Sequence, residues 1–423
     1  MNEKFLQYIW EHKLYKSPNC TSGSGEKIEI IDPGKPNHDS GPDFTNARIK
    51  IDETIWAGNI EIHKNSSDWY NHNHQNDESY NSIILHVVEK DDLEVRRESG
   101  ELIPSIELSY DKKLEKNYQH LIDSVKWIPC QDQLYKVDPF YLQFYLNSLI
   151  IERLESKTGI IQKLFHQNNN NWEETFYQYL ARTFGFNLNS EPFELLARNT
   201  PQKLLGKHKN NLFQIEAILF GQAGMLDHTH IYNDYYSSLK KEYEFLKKKF
   251  NISPIPTHLW KFSKSRPANF PTIRIAQFSM LIQQSTNLFS KIIELKNLND
   301  LIKLFQVKTS SFWETHYHFD NTSEKRIKNL GKSAIEIILI NTIIPFLFFY
   351  GQQKDNQSIK DRAIQFIDHL PPEKNSIIGK WEKSGIQVKT ALESQALIHL
   401  KNNYCDKKQC LKCQVGNKLI NTN

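Results

Sequence analysis

The sequence predicts an α+β domain with the element order αβββαβ and a mixed sheet over residues 1–115, followed by an irregular all-helical domain over residues 126–423. Three observations carry this: the length, a change of hydrophobic period near Trp127, and a charge asymmetry between the two parts. A chain of 423 residues exceeds what one core organises, since a domain holds roughly 100–200 residues. Hydrophobic residues at 39% and aromatic residues at 12% suffice for packed cores, so the short polar tracts, such as the Asn run at 168–171, do not make a disordered chain. Residues 1–120 carry 14 Lys and Arg against 22 Asp and Glu, and the remainder 39 against 27, so a part of net charge −8 precedes one of +12. A basic body can neutralise phosphates while an acidic part holds cations.

At residues 1–16, Phe5, Leu6, Ile9 and Trp10 fall at helical intervals among Glu3, Lys4, Glu11 and Lys13. That mixture lacks the unbroken apolar core of a secretory signal, so a cytoplasmic location is expected. Residues 22–25 predict a turn, 27–31 a strand that stops at Asp32-Pro33-Gly34, and 44–51 and 55–63 a strand pair turning at Asp52 and Glu53. Residues 68–80 are polar and aromatic, a short helix with loops, and 82–88 are dense enough in Ile, Leu and Val for a buried strand. Residues 93–108 predict a hairpin.

From Trp127 onward the apolar residues recur every three or four positions, which predicts helices at 140–154, 172–184, 212–225, 235–250, 273–288, 334–350 and 392–404. The most apolar stretch, 334–350, is interrupted by Glu336, Asn341 and Pro345 and falls short of the roughly 20 residues a membrane span needs. It predicts a buried helix, and no membrane partner is expected.

The densest chemistry lies in Gly41-Pro42-Asp43-Phe44 and Gly58-Asn59-Ile60-Glu61-Ile62-His63. Alternation along a strand puts Glu61 and His63 on one face and Ile60 and Ile62 on the other. Asp43, just ahead of the neighbouring strand, can approach the same end of the sheet and complete a site for a divalent cation.

In element order and motif, residues 1–92 resemble the PD-(D/E)XK nuclease superfamily, whose domain is restriction-endonuclease-like. Pro42-Asp43 matches the PD element, and Glu61-Ile62-His63 matches (D/E)XK with His in place of Lys. The resemblance implies that Asp43 and Glu61 bind Mg²⁺ or Mn²⁺ and that His63 orients the attacking water. It also brings Glu11 into view, on the opening helix where some members place another acidic residue. Histidine titrates near neutrality where lysine keeps a fixed charge, so His63 can equally act as a metal ligand or base. Lys64, on the other face, does not replace the missing lysine.

His72, His74 and His86 follow closely and can widen the site into a histidine-rich transition-metal centre, since neutral imidazole is a good ligand. His86, alone in a strand, also reads as a core histidine.

Cys405-x4-Cys410-x2-Cys413 places three of the five cysteines within nine residues, a density that suits Zn²⁺ or an iron–sulfur cluster. A closed site needs a fourth ligand, either Cys130 or His399. The odd, uneven cysteine count does not resemble a secreted disulfide framework.

The loop from Trp260 to Pro271 interleaves Lys261, Lys264 and Arg266 with aromatics and is followed by Arg274. Such a loop can contact phosphate and stack on bases, or its aromatics can fill the core while its charges face water. Phe220-Gly221-Gln222-Ala223-Gly224 supplies small residues for close helix packing.

The 41–44, 58–63, 84–88 and 405–413 segments together resemble an uncharacterised bacterial family of domain-of-unknown-function proteins over essentially the whole chain. The expectation is a metal-dependent nuclease acting on DNA, or with less support RNA, held by the basic helical domain. The alternatives are a non-catalytic nucleic-acid-binding or scaffold protein on a degenerate nuclease fold, and a histidine-rich metalloenzyme with a small-molecule substrate.

Overall fold

Period-two alternation at the centre of the first 110 residues builds a seven-stranded mixed sheet. In the computed structural model, residues 3–16, 19–21, 27–37, 39–227, 231, 233–285 and 287–422 are described, and the turn expected at 22–25 lies outside them. The chain forms two compact units, Met1–Leu142 with Leu400–Asn423, and Gln143–His399.

The sheet of the first unit comprises β1 (Asn19–Thr21), β2 (Lys27–Asp32), β3 (Lys35–Pro36), β4 (Phe44–Ile51), β5 (Thr54–Asn65), β6 (Ile83–Lys90) and β7 (Ser105–Glu107). Their order is β1-β2-β4-β5-β6-β7, with β3 beside β4. The pairs from β1 to β5 are antiparallel, whereas β5, β6 and β7 run parallel. Strands β4 and β5 need only the tight turn at Asp52, which takes a left-handed φ of 49°. A parallel pair instead needs a long crossover. Residues 66–82 supply it, with helix α2 (Asp68–Asn71) and the 3₁₀ turns His74–Asn76 and Glu78–Tyr80.

Helix α1 (Glu3–Glu11) buries Phe5, Leu6, Tyr8, Ile9 and Trp10, each worth roughly 1.5–3 kcal/mol of transfer free energy where large and apolar. The Trp10 indole donates to the Pro33 carbonyl at 3.0 Å. The hairpin expected at 93–108 reduces to one antiparallel bridge, Arg96 with Leu102, followed by β7.

The sequence places 405–413 at the end of the helical domain, yet this segment belongs to the first unit. The reason is helix α3 (Lys112–Asp123), which Asp111 caps by accepting from the Lys113 N–H at 2.9 Å. The closing helix Gln414–Ile420 packs against α3. The Asn117 side-chain amide donates to the carbonyls of Ile420 and Thr422 at 3.0 and 3.3 Å, and that of Asn421 donates to the Tyr8 hydroxyl at 2.8 Å.

The second unit is helical. The helix expected at 172–184 is present as Trp172–Phe184, and that expected at 140–154 is the first half of the 29-residue helix Pro139–Gln167. An aromatic core gathers Trp172, Phe176, Phe289, Phe346 and Phe349. Gly221 lets helix Asp234–Phe250 approach helix Leu212–Gln222, since a Cβ at 221 would stand 2.1 Å from the Tyr243 ring. One charge-bearing group is sunk here. Glu216, 1% exposed, accepts from the Tyr235 hydroxyl at 2.5 Å and the Ser310 hydroxyl at 2.9 Å. Burial, only partly offset by these donors, raises its pKa to about 7.

The apolar stretch expected to be too short for a membrane span lies in a helix of 22 residues, Lys332–Gln353, long and apolar enough to cross one. In this fold 78% of its most apolar window is buried, as in a core helix.

Candidate metal centre

The parallel register sets the site. Glu61 pairs with His86 across β5 and β6, so these two and His63 share one face of the sheet, while Ile60, Ile62, Leu85 and Val87 share the other. The crossover then carries two more histidines over that face. Trp69 anchors it in a cluster with Tyr80, Ile83, Val95 and Ile103. Asn73, at a left-handed φ of 61°, reverses the chain between His72 and His74, and the His74 ring stacks on Tyr80 at 3.8 Å.

Glu61 Oε1 lies 3.4 Å from His74 Nε2 and 3.6 Å from His63 Nε2. His72 Nδ1 lies 3.1 Å from His63 Nε2. The donor atoms of His63, His72 and His74 all fall within 4.8 Å of one another, with His63 buried, His74 half-buried and His72 exposed at the mouth. Asp43 meets Glu61 through its backbone, whose N–H donates to Glu61 Oε2 at 3.0 Å. Its own carboxylate accepts from the Gln7 amide at 2.8 Å and from the Ile62 N–H at 3.1 Å. Asp43, Glu61 and His63 therefore converge, with Asp43 holding Glu61 in place and standing outside the group of three rings.

Burial pushes the Asp43 carboxyl well above the usual range, and the neighbouring Glu61 pushes it further; Glu61 is raised chiefly by burial. Burial, and the neighbouring His86, His74 and His72, hold His63 down to about 2, and burial holds His86 down to about 4. These rings are neutral, the form that ligates metal.

Several expectations change. His63, expected to orient water, turns Nδ1 to His86 and Nε2 inward to His72 and Glu61, a ligand's posture. His86, expected among the metal ligands, stands behind His63 with Nε2 2.8 Å from His63 Nδ1 and fixes that ring. On α1 the residues that reach the site are Gln7, by its hydrogen bond, and Glu3, whose charge bears on Asp43, Glu61 and His74; Glu11 is exposed. Their spacing of four puts Glu3 and Gln7 on one helix face, but no motif marks that face as the site's.

The donor set is three imidazoles and one carboxylate, which suits a first-row transition ion better than all-oxygen Mg²⁺. His74 Nε2 is buried without a hydrogen bond, as an atom reserved for a cation would be.

In the second unit, Lys261, Lys264 and Arg266 are exposed. Arg274 is not available to a phosphate: it is 6% exposed, donates to Gln277 at 2.8 Å and Asn269 at 2.6 Å, and lies over the Phe186 ring. Trp260 is buried, with its indole on the Ala223 carbonyl at 2.8 Å, so it fills the core and cannot stack on a base. Cys130, Cys405, Cys410 and Cys413 all lie in the first unit and in no disulfide. His399 lies in the second unit, where Nε2 pairs with Glu152 at 3.1 Å.

No curated protein and no solved structure matches this chain. A family does match, over residues 3–376, a span that contains Asp43, Glu61, all four clustered histidines and Cys130 and stops short of Cys405. The chain belongs to the family described as protein of unknown function (DUF2851).

Proposed function

We propose that this chain is a metal-dependent hydrolase of phosphodiester bonds, acting on DNA or, with less support, RNA. The observation that carries the reading is the meeting of Glu61 with His63 and His74 at 3.6 and 3.4 Å, beside the exposed ring of His72. The αβββαβ order, with Asp43 and Glu61 brought together, supports the nuclease resemblance; the imidazoles in place of lysine favour Mn²⁺, Zn²⁺ or Fe²⁺ over Mg²⁺.

An ion bound there would supply Lewis acidity and an activated water. Glu61, His63, His72 and His74 hold it, His86 sets the His63 tautomer, and the Asp43 backbone N–H orients Glu61. At the mouth, His72 meets the substrate. The exposed Lys261, Lys264 and Arg266 of the second unit supply affinity for phosphate independent of sequence.

The test incubates the full chain with single-stranded DNA, duplex DNA and RNA in Mn²⁺, Zn²⁺, Fe²⁺ or Mg²⁺. Cleavage should require a transition ion and fall at least a hundredfold in Glu61→Ala and His72→Ala. Absence of cleavage in every metal, or full activity in both variants, overturns the reading. A second reading, a non-catalytic nucleic-acid-binding or scaffold protein, is favoured by the 5% and 1% exposure of Glu61 and His63. Salt-dependent DNA binding with stoichiometric metal and no hydrolysis would select it.

A further inference from the structure

Four thiols separated by most of the chain gather in the first unit. Cys130 ends the Trp127-Ile128-Pro129-Cys130 turn and is 9% exposed; Cys410 and Cys413 are 7% exposed, and Cys405 is half-buried. Tight turns shape the returning segment: the Cys413 N–H donates to the Cys410 carbonyl at 3.3 Å, and the Lys408 N–H to the Cys405 carbonyl at 3.1 Å. Gly416 is required beside them, because a Cβ there would stand 2.1 Å from the Cys410 carbonyl oxygen.

The thiols also feel one another. Burial raises Cys130 to about 12, with Cys413 and Cys410 adding to the rise; Cys405 is raised by burial and then by Cys130, Cys413 and Cys410. Four mutually repelling groups in one buried place are poorly explained as apolar filler, since free Cys packs as a small hydrophobe with no need of company. A soft cation reverses the balance by displacing the protons and binding the thiolates. Two lysines stand ready to offset the resulting negative charge: Lys401 bears on Cys405 and Lys408 on Cys410.

We propose that Cys130, Cys405, Cys410 and Cys413 form a tetrathiolate site for a soft metal centre, a zinc ion or an iron–sulfur cluster, that fastens the returning segment to the first unit. The second unit lies between Cys130 and Cys405 in the chain, so the centre ties together the two ends of that insertion. Its position is that of a structural staple; no part of the histidine centre contributes a ligand.

The experiment uses the full chain purified without oxygen, in a His72→Ala, His74→Ala background that removes the other candidate site. One equivalent of zinc in a colourless protein, or iron with acid-labile sulfide and visible absorption, supports the site and says which centre it holds. The equivalent should disappear in Cys130→Ser, and a chelator should speed the reaction of the remaining thiols with a disulfide reagent at least tenfold. Metal-free protein whose thiols react equally fast with and without chelator overturns the proposal, as does full retention of metal in Cys130→Ser. Where that variant does not fold, Co²⁺ exchanged into the background chain decides: intense thiolate-to-cobalt charge-transfer bands support the site, and their absence rejects it.

Discussion

His86 Nε2 stands 2.8 Å from His63 Nδ1, between two parallel strands where both rings are buried. If His63 binds a cation through Nε2, its Nδ1 carries the proton and donates it to His86. His86 then acts on the ion only through His63. Replacing His86 with Ala should lower Mn²⁺ or Zn²⁺ affinity about 10- to 100-fold. His86→Gln, which still offers an acceptor, should recover part of the loss. Competition against a chromophoric chelator measures both, with circular dichroism reporting that the sheet persists.

Asp43 is predicted to matter for stability as well as for chemistry. Asp43→Ala strands the Ile62 N–H and the Gln7 amide, now satisfied at 3.1 and 2.8 Å. A buried donor left unpaired costs about 1–3 kcal/mol. Asp43→Asn keeps an acceptor for Ile62, and Gln7 can turn its amide to match. Thermal denaturation should therefore rank the parent and Asp43→Asn above Asp43→Ala.

Two glycine substitutions should move stability in opposite directions. Gly221→Ala forces a Cβ to within 2.1 Å of the Tyr243 ring, so the two helices must part. Overpacking of this kind costs typically about 1–3 kcal/mol or more. Gly159, inside helix Pro139–Gln167, has nothing within 4 Å of its would-be Cβ. Gly159→Ala should stabilise by about 0.5–1 kcal/mol. Urea unfolding of the two variants checks both signs.

Glu216 makes the second unit weaker as pH rises. Its folded pKa of about 7 exceeds the usual 4.5, so between these values the folded state binds more protons than the unfolded state. Stability is full below the unfolded value and falls until the folded group ionises, a loss on the order of 3 kcal/mol. Glu216→Gln cannot ionise and should not show this loss. Urea midpoints at about pH 4.5 and 7.5, compared between parent and variant, should isolate the difference.

Much of the site was written in local alternation. The strand at 44–51 and the helix at 172–184 follow their apolar periods residue for residue, and the two-residue period places Glu61 and His63 on a common face. The parallel register that adds His86 is tertiary, as is the Gln7 contact with Asp43 across 36 residues. Arg274 misleads because a cation near aromatics reads alike whether it faces phosphate or pairs internally with Gln277 and Asn269. Helix α3 escaped notice because its apolar stripe is narrow, with Tyr118 and Leu121 its buried residues. With α3 went the clue that the cysteine segment turns back to the first unit.

That return has a consequence for synthesis. A ribosome adds about 5–20 residues per second, so the sheet waits on the order of tens of seconds for its closing helix. The contiguous second unit can fold as it emerges, while α1 and α3 remain without the Asn421 and Ile420 contacts that later cover them. Nascent chains of this protein present a nearly finished sheet with one uncovered flank, the kind of surface to which chaperones attend.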